Sequence, residues 1–284
     1  MRTVSLLFVA FFFSAFLSAC GTVQIGERNF IQADKPDKPS APRAQLAALV
    51  AGASVSEETL ATPDGARLGG VLLKRPGARH VVLYFGGNQF HIDPHGSTVL
   101  PLIASCGADV AVFDYRGYGR SSGTPTVALM AADALRVFDH VNAQYPGAVI
   151  VHGQSLGSFM VGHVVQHRPG ARAMVLEATA TTVPDWVEAN VPWYARLFAR
   201  FEVEPSLRLV DNVGAVRRYT GPSLVLAGAR DRITPPALAR KVFDAIPAPS
   251  KRWYEAPGSG HNDTLGAPDV LPVYCGFIKT AGSF

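Results

Sequence analysis

Five short stretches of the chain are apolar almost without interruption. They are Val81-Val82-Leu83-Tyr84-Phe85, Asp109-Val110-Ala111-Val112-Phe113, Ala148-Val149-Ile150-Val151-His152, Ala173-Met174-Val175-Leu176 and Ser223-Leu224-Val225-Leu226-Ala227. A strand with one wet face alternates apolar and polar residues, so continuous runs predict strands buried on both faces, as in a parallel sheet. Helical patterns lie between them, over 95–105, 127–145, 156–167 and 236–245. The second carries Val127, Met130, Ala131, Ala134, Leu135, Val137, Phe138 and Val141, a broad stripe at helical spacing. Alternating strands and helices with right-handed crossovers predict an α/β protein with a doubly wound, mostly parallel sheet. Upstream, 55–60 and 67–73 flank Pro63-Asp64-Gly65 and predict an antiparallel hairpin. Residues 181–218 break the rhythm with Pro184, Trp186, Pro192, Trp193, Tyr194, Leu197, Phe198 and Phe201. They read as a small helical cap, with ordinary helix packing as the alternative.

The first 19 residues have a different pattern. Arg2 is followed by an apolar run over 6–17, broken only by Ser14, and then by Ser18 and Ala19. That is the layout of a secretory signal peptide. An uncleaved anchor is the alternative, but the run is shorter than the ~20 residues that span a bilayer. Leu17-Ser18-Ala19-Cys20 resembles the lipobox of bacterial lipoproteins. The resemblance implies cleavage before Cys20 and lipidation of that cysteine by fatty acyl chains such as palmitate, which anchor through buried methylenes. An incidental cysteine near an ordinary cleavage site is the competing reading. Gly21 at the next position resembles the sorting signal for an outer membrane, facing the periplasm. Residues 20–43 hold Lys35-Pro36, Lys38-Pro39 and Ala41-Pro42 with few large apolar side chains, and read as a tether. Residues 44–284 are long enough for one large α/β domain.

The net charge of +4 forms no basic run interleaved with aromatics, so no nucleic-acid partner is expected. No Cys or His spacing suggests a metal site, and no cofactor is expected. Oligomeric state is not legible. The three cysteines are Cys20, Cys106 and Cys275, which leaves an even pair if the first carries lipid.

Candidate chemistry sits at the ends of the apolar runs, where open parallel sheets gather functional groups. Gly153-Gln154-Ser155-Leu156-Gly157 lies between a predicted strand and a predicted helix. In a turn this tight the flanking positions must be small, and the serine Oγ is pushed out above the sheet. A serine hydroxyl needs a base. Of eight histidines, His261 stands out, in the loop Gly258-Ser259-Gly260-His261-Asn262-Asp263. His163 and His167 fall on the helix after the serine, and His91 and His95 flank the first loop. The orienting acid is read as Asp231, directly after the fifth run, ahead of Asp263 and Glu177. Two oxyanion donors are expected: Leu156 N–H, and Asn88 N–H from Gly86-Gly87-Asn88. Gly87, Gln89, Trp186 and Trp193 are expected at the substrate pocket.

These segments, with Phe113-Asp114-Tyr115-Arg116-Gly117-Tyr118-Gly119-Arg120-Ser121, resemble the α/β-hydrolase superfamily over about residues 55–280, in its Bem46-like and ABHD-type serine hydrolase branch. The order Ser155, Asp231, His261 is the order of that fold. That branch usually carries His-Gly-Asn where this chain has Gly86-Gly87-Asn88, so loop packing is expected to differ there. The resemblance sets the Arg116 loop at the border of the site, and physics pairs Arg116 with a carboxylate. It also sets the helices of Cys106 and Cys275 on one sheet face, leaving a disulfide and two buried thiols both open. The reading is a membrane-tethered serine hydrolase of esters or thioesters with an apolar group. A peptidase or amidase on the same residues and a non-catalytic binding lipoprotein are the alternatives.

Overall fold

The computed structural model describes residues 21–34, 42–208 and 210–281. The expected signal segment and Cys20 lie outside them. Eight strands form the main sheet: β2 (Ser54–Ala61), β3 (Arg67–Lys74), β4 (Val81–Phe85), β5 (Asp109–Phe113), β6 (Val149–Gln154), β7 (Ala173–Glu177), β9 (Ser223–Gly228) and β10 (Lys251–Ala256). Their spatial order is β10-β9-β7-β6-β4-β5-β3-β2. Every pairing from β10 to β5 is parallel, and β3 joins antiparallel to both β5 and β2.

The apolar runs predicted this sheet because both of its faces are covered. α3 (Val127–Gln144), α4 (Leu156–His167) and α8 (Pro236–Ala245) lie on one side. α2 (Ile92–Ser105) and α9 (Val270–Ala281) lie on the other. Neighbouring strand residues divide between the layers: Val81, Leu83 and Phe85 face the first, Val82 and Tyr84 the second. The stripe read along α3 is buried as predicted at Val127, Met130, Ala134, Val137, Phe138 and Val141, and Thr126 caps that helix by accepting from Leu129 N. In the second layer Cys106 and Cys275 are disulfide-bonded, with Cα atoms 4.5 Å apart. No described helix is long and apolar enough to cross a membrane.

Three expectations change. Strand β10 was not anticipated, because an edge strand reading Lys-Arg-Trp-Tyr-Glu-Ala has no continuous apolar run and keeps Arg252 and Glu255 on exposed positions. The cap is not purely helical: α5 (Val183–Asn190) and a 3-10 turn (Ala195–Leu197) lead into strand β8 (Ala199–Val203), then α6 (Pro205–Arg208) and α7 (Asn212–Val216). Residues 21–34 are not a bare tether. Gly21–Ile25 forms β1 and pairs in parallel with β8, from Gly21 opposite Ala199 to Ile25 opposite Val203. α1 (Glu27–Phe30) follows. Few large apolar residues marked this segment, because its order comes from a partner strand far along the chain. Of the remaining tether, 35–41 lie outside the described residues.

Candidate active site

Ser155 sits at the turn from β6 into α4, with φ 53° and ψ −115°. A serine there is strained and must be held by its neighbours. Gly153 and Gly157 allow the turn to close. A β-carbon on Gly153 would collide with the carbonyl of Gly157, and one on Gly157 with the carbonyls of Phe85 and Gly86. The first turn of α4 therefore lies directly against the loop after β4.

The three residues singled out in sequence meet. Ser155 Oγ is 2.9 Å from His261 Nε2. His261 Nδ1 is 2.8 Å from Asp231 Oδ2. The aspartate side chain is 1% exposed and the histidine 10%, so the pair is shielded while the serine end opens outward. Burial drives the Asp231 carboxyl upward, but the hydrogen bond and charge of His261, then the bonds from Thr234, outweigh it. The carboxyl ends below its ordinary value and stays ionised. Asp231 Oδ1 accepts from Ile233 N and Thr234 N, at 2.8 and 2.9 Å.

Thr234 belongs to this group and was not anticipated. Its Oγ1 lies 2.8 Å from Asp231 Oδ2, 2.9 Å from the Ala178 carbonyl and 3.1 Å from His261 Nδ1. The signal available was the Asp-x-x-Thr spacing, which predicts a capping turn. Gln154, inside the serine pentapeptide, donates to the His261 carbonyl at 3.2 Å and steadies the histidine loop.

The rival candidates have other work. Glu177 bonds buried His152 at 3.1 Å and accepts from Leu265 N at 2.9 Å. Asp263 accepts from Gly260 N at 2.7 Å, closing its own loop. His91 pairs with Asp34 at 2.9 Å, and His95 Nδ1 accepts from His91 N at 3.0 Å. Arg116 pairs with two carboxylates, Asp133 at 2.9 Å and Asp64 at 2.5 Å.

Leu156 is the first residue of α4, where the amide has no intrahelical acceptor. No acceptor among the described residues takes its N–H, nor that of Asn88. Both expected oxyanion amides are thus without a partner among the described residues. The Asn88 side chain is held at both ends: Nδ2 donates to the Phe30 carbonyl at 2.7 Å, and Oδ1 accepts from Gln32 N at 3.1 Å and Tyr118 Oη at 3.0 Å. Gln89, at φ 67°, bonds Gln32 through its side chain. Asp34 accepts from Gly119 N at 2.9 Å. Residues 30–34 therefore form a strap across this loop, which sequence reading left as tether. The Gly86 departure has a packing reason: the Phe90 ring occupies the space a side chain at 86 would need.

The pocket residues divide. Gly87 faces the Gln154 side chain, whose Oε1 a β-carbon would strike. Trp186 donates from Nε1 to the Ile233 carbonyl at 2.7 Å and meets Phe30, which in turn meets Phe159. Trp193 is corrected: it is 75% exposed on the cap and its only ring neighbour among the described residues is Tyr194. Trp193 lies beyond the end of α5, to which Trp186 belongs, after Val191 turns the backbone to an extended conformation.

An open, mostly parallel sheet with a serine at the strand-to-helix turn, a histidine loop and an acid after a late strand defines an α/β hydrolase. The comparisons agree. A family model described as serine aminopeptidase, S33, matches residues 77–214. An uncharacterized protein of Mycobacterium tuberculosis is 32% identical over 216 residues, 74% of this chain and 72% of that one. Protein bem46 of Schizosaccharomyces pombe is 25% identical over 208 residues, 72% and 68%. In fold, the esterase Pf2001 of Pyrococcus furiosus superposes with TM-score 0.67 at 14% identity, over 85% of this chain and 99% of that one. Acetyl xylan esterase 1 of Thermoanaerobacterium does so with TM-score 0.63 at 18% identity, over 81% and 84%. The chain has the α/β-hydrolase fold and belongs to the family it shares with the Mycobacterium tuberculosis protein.

Proposed function

We propose that the protein is a serine hydrolase that cleaves carboxylic esters or thioesters through an acyl-enzyme. The hydrogen-bonded chain Ser155–His261–Asp231, at 2.9 and 2.8 Å, carries this reading. His261 Nε2 takes the Ser155 proton as Oγ attacks the carbonyl carbon, and Asp231 steadies the imidazolium. The Leu156 and Asn88 amides hold the oxyanion. His261 then returns the proton to the departing alcohol or thiol. Water attacks the acyl-serine by the same route, releasing the acid and regenerating Ser155. A fluorophosphonate probe is expected to label Ser155. Ser155→Ala should abolish labelling and lower ester turnover by about 10⁴-fold or more. A folded wild type that resists the probe as the variant does would overturn the reading.

The match to a serine aminopeptidase model supports a second reading, an amidase on the same residues. Paired assays on p-nitrophenyl esters and aminoacyl p-nitroanilides separate the two. The aromatic cap supports an apolar acyl or alcohol group, which acyl chain-length profiling tests.

The proposal places the protein in a bacterial envelope, at the outer membrane facing the periplasm, held by lipid on Cys20. The lipobox-like residues support it. Labelled palmitate is expected to enter the wild type and not Cys20→Ala; equal labelling would exclude this anchor.

A further inference from the structure

The cap carries the largest exposed apolar feature among the described residues. Trp193, Tyr194, Leu197 and Phe198 are 75, 56, 66 and 61% exposed within six consecutive positions. Beneath them runs an open groove of about 710 Å³, bounded by α5 residues such as Val187 and Val191 and by Phe198 and Phe201. A monomer in water rarely presents so much contiguous apolar surface without a partner.

Two observations say what that partner is. The first is the register of β1 on β8: Gly21 lies opposite Ala199, the residue after Phe198. The chain preceding Gly21 holds the apolar run over 6–17 and Cys20. Whether the anchor is an acyl chain on Cys20 or the run itself, it leaves the fold beside this patch. The second is the handling of charge. Arg196 is the one charged residue in the segment, and its guanidinium turns back to the Glu188 and Val191 carbonyls and the Glu188 carboxylate. What points outward is Trp, Tyr, Leu and Phe, the set that sits at the boundary between headgroups and acyl chains.

The geometry points to a lipid bilayer as the occupant: the 193–198 turn inserts at the membrane interface next to the anchor and fixes the enzyme's orientation there. The inference uses the proposed anchor for proximity and does not require Ser155 to be active. Its consequence for the site runs through α5. Pro184, Val187, Glu188 and Val191 line the groove on one side of that helix. Trp186 and Asn190 bond the Ile233 carbonyl on the other, two residues from Asp231. A docked cap therefore sets the acid loop one helix diameter, about 10 Å, behind the membrane-facing groove.

The test uses the full chain in phosphatidylcholine vesicles, with either ordinary or dibrominated acyl chains. Bromine quenches an indole only when the two nearly touch. The chain has three tryptophans, Trp186, Trp193 and Trp253. The expected result is weaker fluorescence in brominated vesicles, with the difference lost in Trp193→Phe and kept in Trp186→Phe. Leu197→Ser with Phe198→Ser, both at exposed positions, should reduce Trp193 quenching severalfold. Equal fluorescence in the two vesicle types, with the protein still bound, would overturn the inference: the anchor alone would hold the protein and the patch would face water. Blue-shifted but unquenched Trp193 emission would overturn it too, since a second copy or another protein would then cover the patch. Repeating the measurement in Ser155→Ala separates this result from the fate of the hydrolase reading.

Discussion

At the scale of single residues, the site depends on groups that do not themselves react. Thr234 is a positioning residue: its hydroxyl lies within hydrogen-bond reach of the Asp231 oxygen that faces His261 and of the Ala178 carbonyl, and its one proton serves one of these acceptors at a time. Thr234→Val keeps the volume and removes the hydroxyl. It should lower kcat by about tenfold to a hundredfold, the scale of one hydrogen bond to a charged group, and move the pH profile of kcat. Thr234→Ser should restore both, and steady-state kinetics across pH checks it. Farther out, Arg116 and a hydrogen bond from Thr62 hold the Asp64 carboxyl down to about 2. A folded-state value below the unfolded one adds stability that is present above the ordinary value near 4. It is lost as pH falls from there toward 2. Asp64→Asn should flatten that acid limb and leave stability near neutrality changed only modestly, since the carboxylate is half exposed. Urea unfolding as a function of pH measures both. The sequence was most informative at this scale. Ser155 and Asp231 were readable because each directly follows an apolar strand run, and His261 because it lies in a glycine-rich loop late in the chain. Thr234 was not, because an Asp-x-x-Thr turn is common and only folding shows that its hydroxyl reaches the acid.

At the scale of elements, the central strands and the β2–β3 hairpin at one edge were legible, while the opposite edge and the added pieces were not. β4, β5, β6, β7 and β9 are apolar on both faces because α2 and α9 cover one side and α3, α4 and α8 the other. β10 and β1 are edges or outliers, exposed on part of their surface, so their patterns carry little signal. The strap from Phe30 to Asp34 is the clearest case. One of its ties to the first loop runs through the Asn88 side chain, whose two ends grip Phe30 and Gln32. Asn88→Ala keeps the backbone amide but cuts these bonds. It should lower ester turnover by about tenfold, since a loosened oxyanion amide costs less than the ~10²-fold of a lost one. Hydrogen exchange in residues 30–34 should rise in the same variant. Unchanged exchange would show that the strap is held without Asn88, by its bonds to Gln89, His91 and Gly119 and by β1.

At the scale of the whole molecule, one covalent bond spans most of the fold. Cys106 and Cys275 are 169 positions apart, and the bond joins the end of α2 to α9 on one sheet face. In the chain-entropy account a loop this long makes the bond worth on the order of 5 kcal/mol. Reduction, or Cys275→Ala, should lower Tm by about 10 °C for a domain of this size, read by calorimetry with and without reductant. Cysteine number alone left thiols and disulfide equally open, since pairing depends on where two distant helices come to rest.

By itself the sequence determined the α/β class and the run of buried strands and singled out Ser155, His261 and Asp231 as candidates, because periodicity and turn chemistry are local properties. The tertiary structure alone decided the rest. Residues 21–34 fold because β8 is there to pair with them, and Trp193 stands exposed because α5 ends at Asn190 and Val191 continues in extended backbone. The distances that join Ser155 to His261 and Asp231 exist only once β6, β9 and the histidine loop are brought side by side. Ser155 was legible as a candidate; its company was a matter of packing.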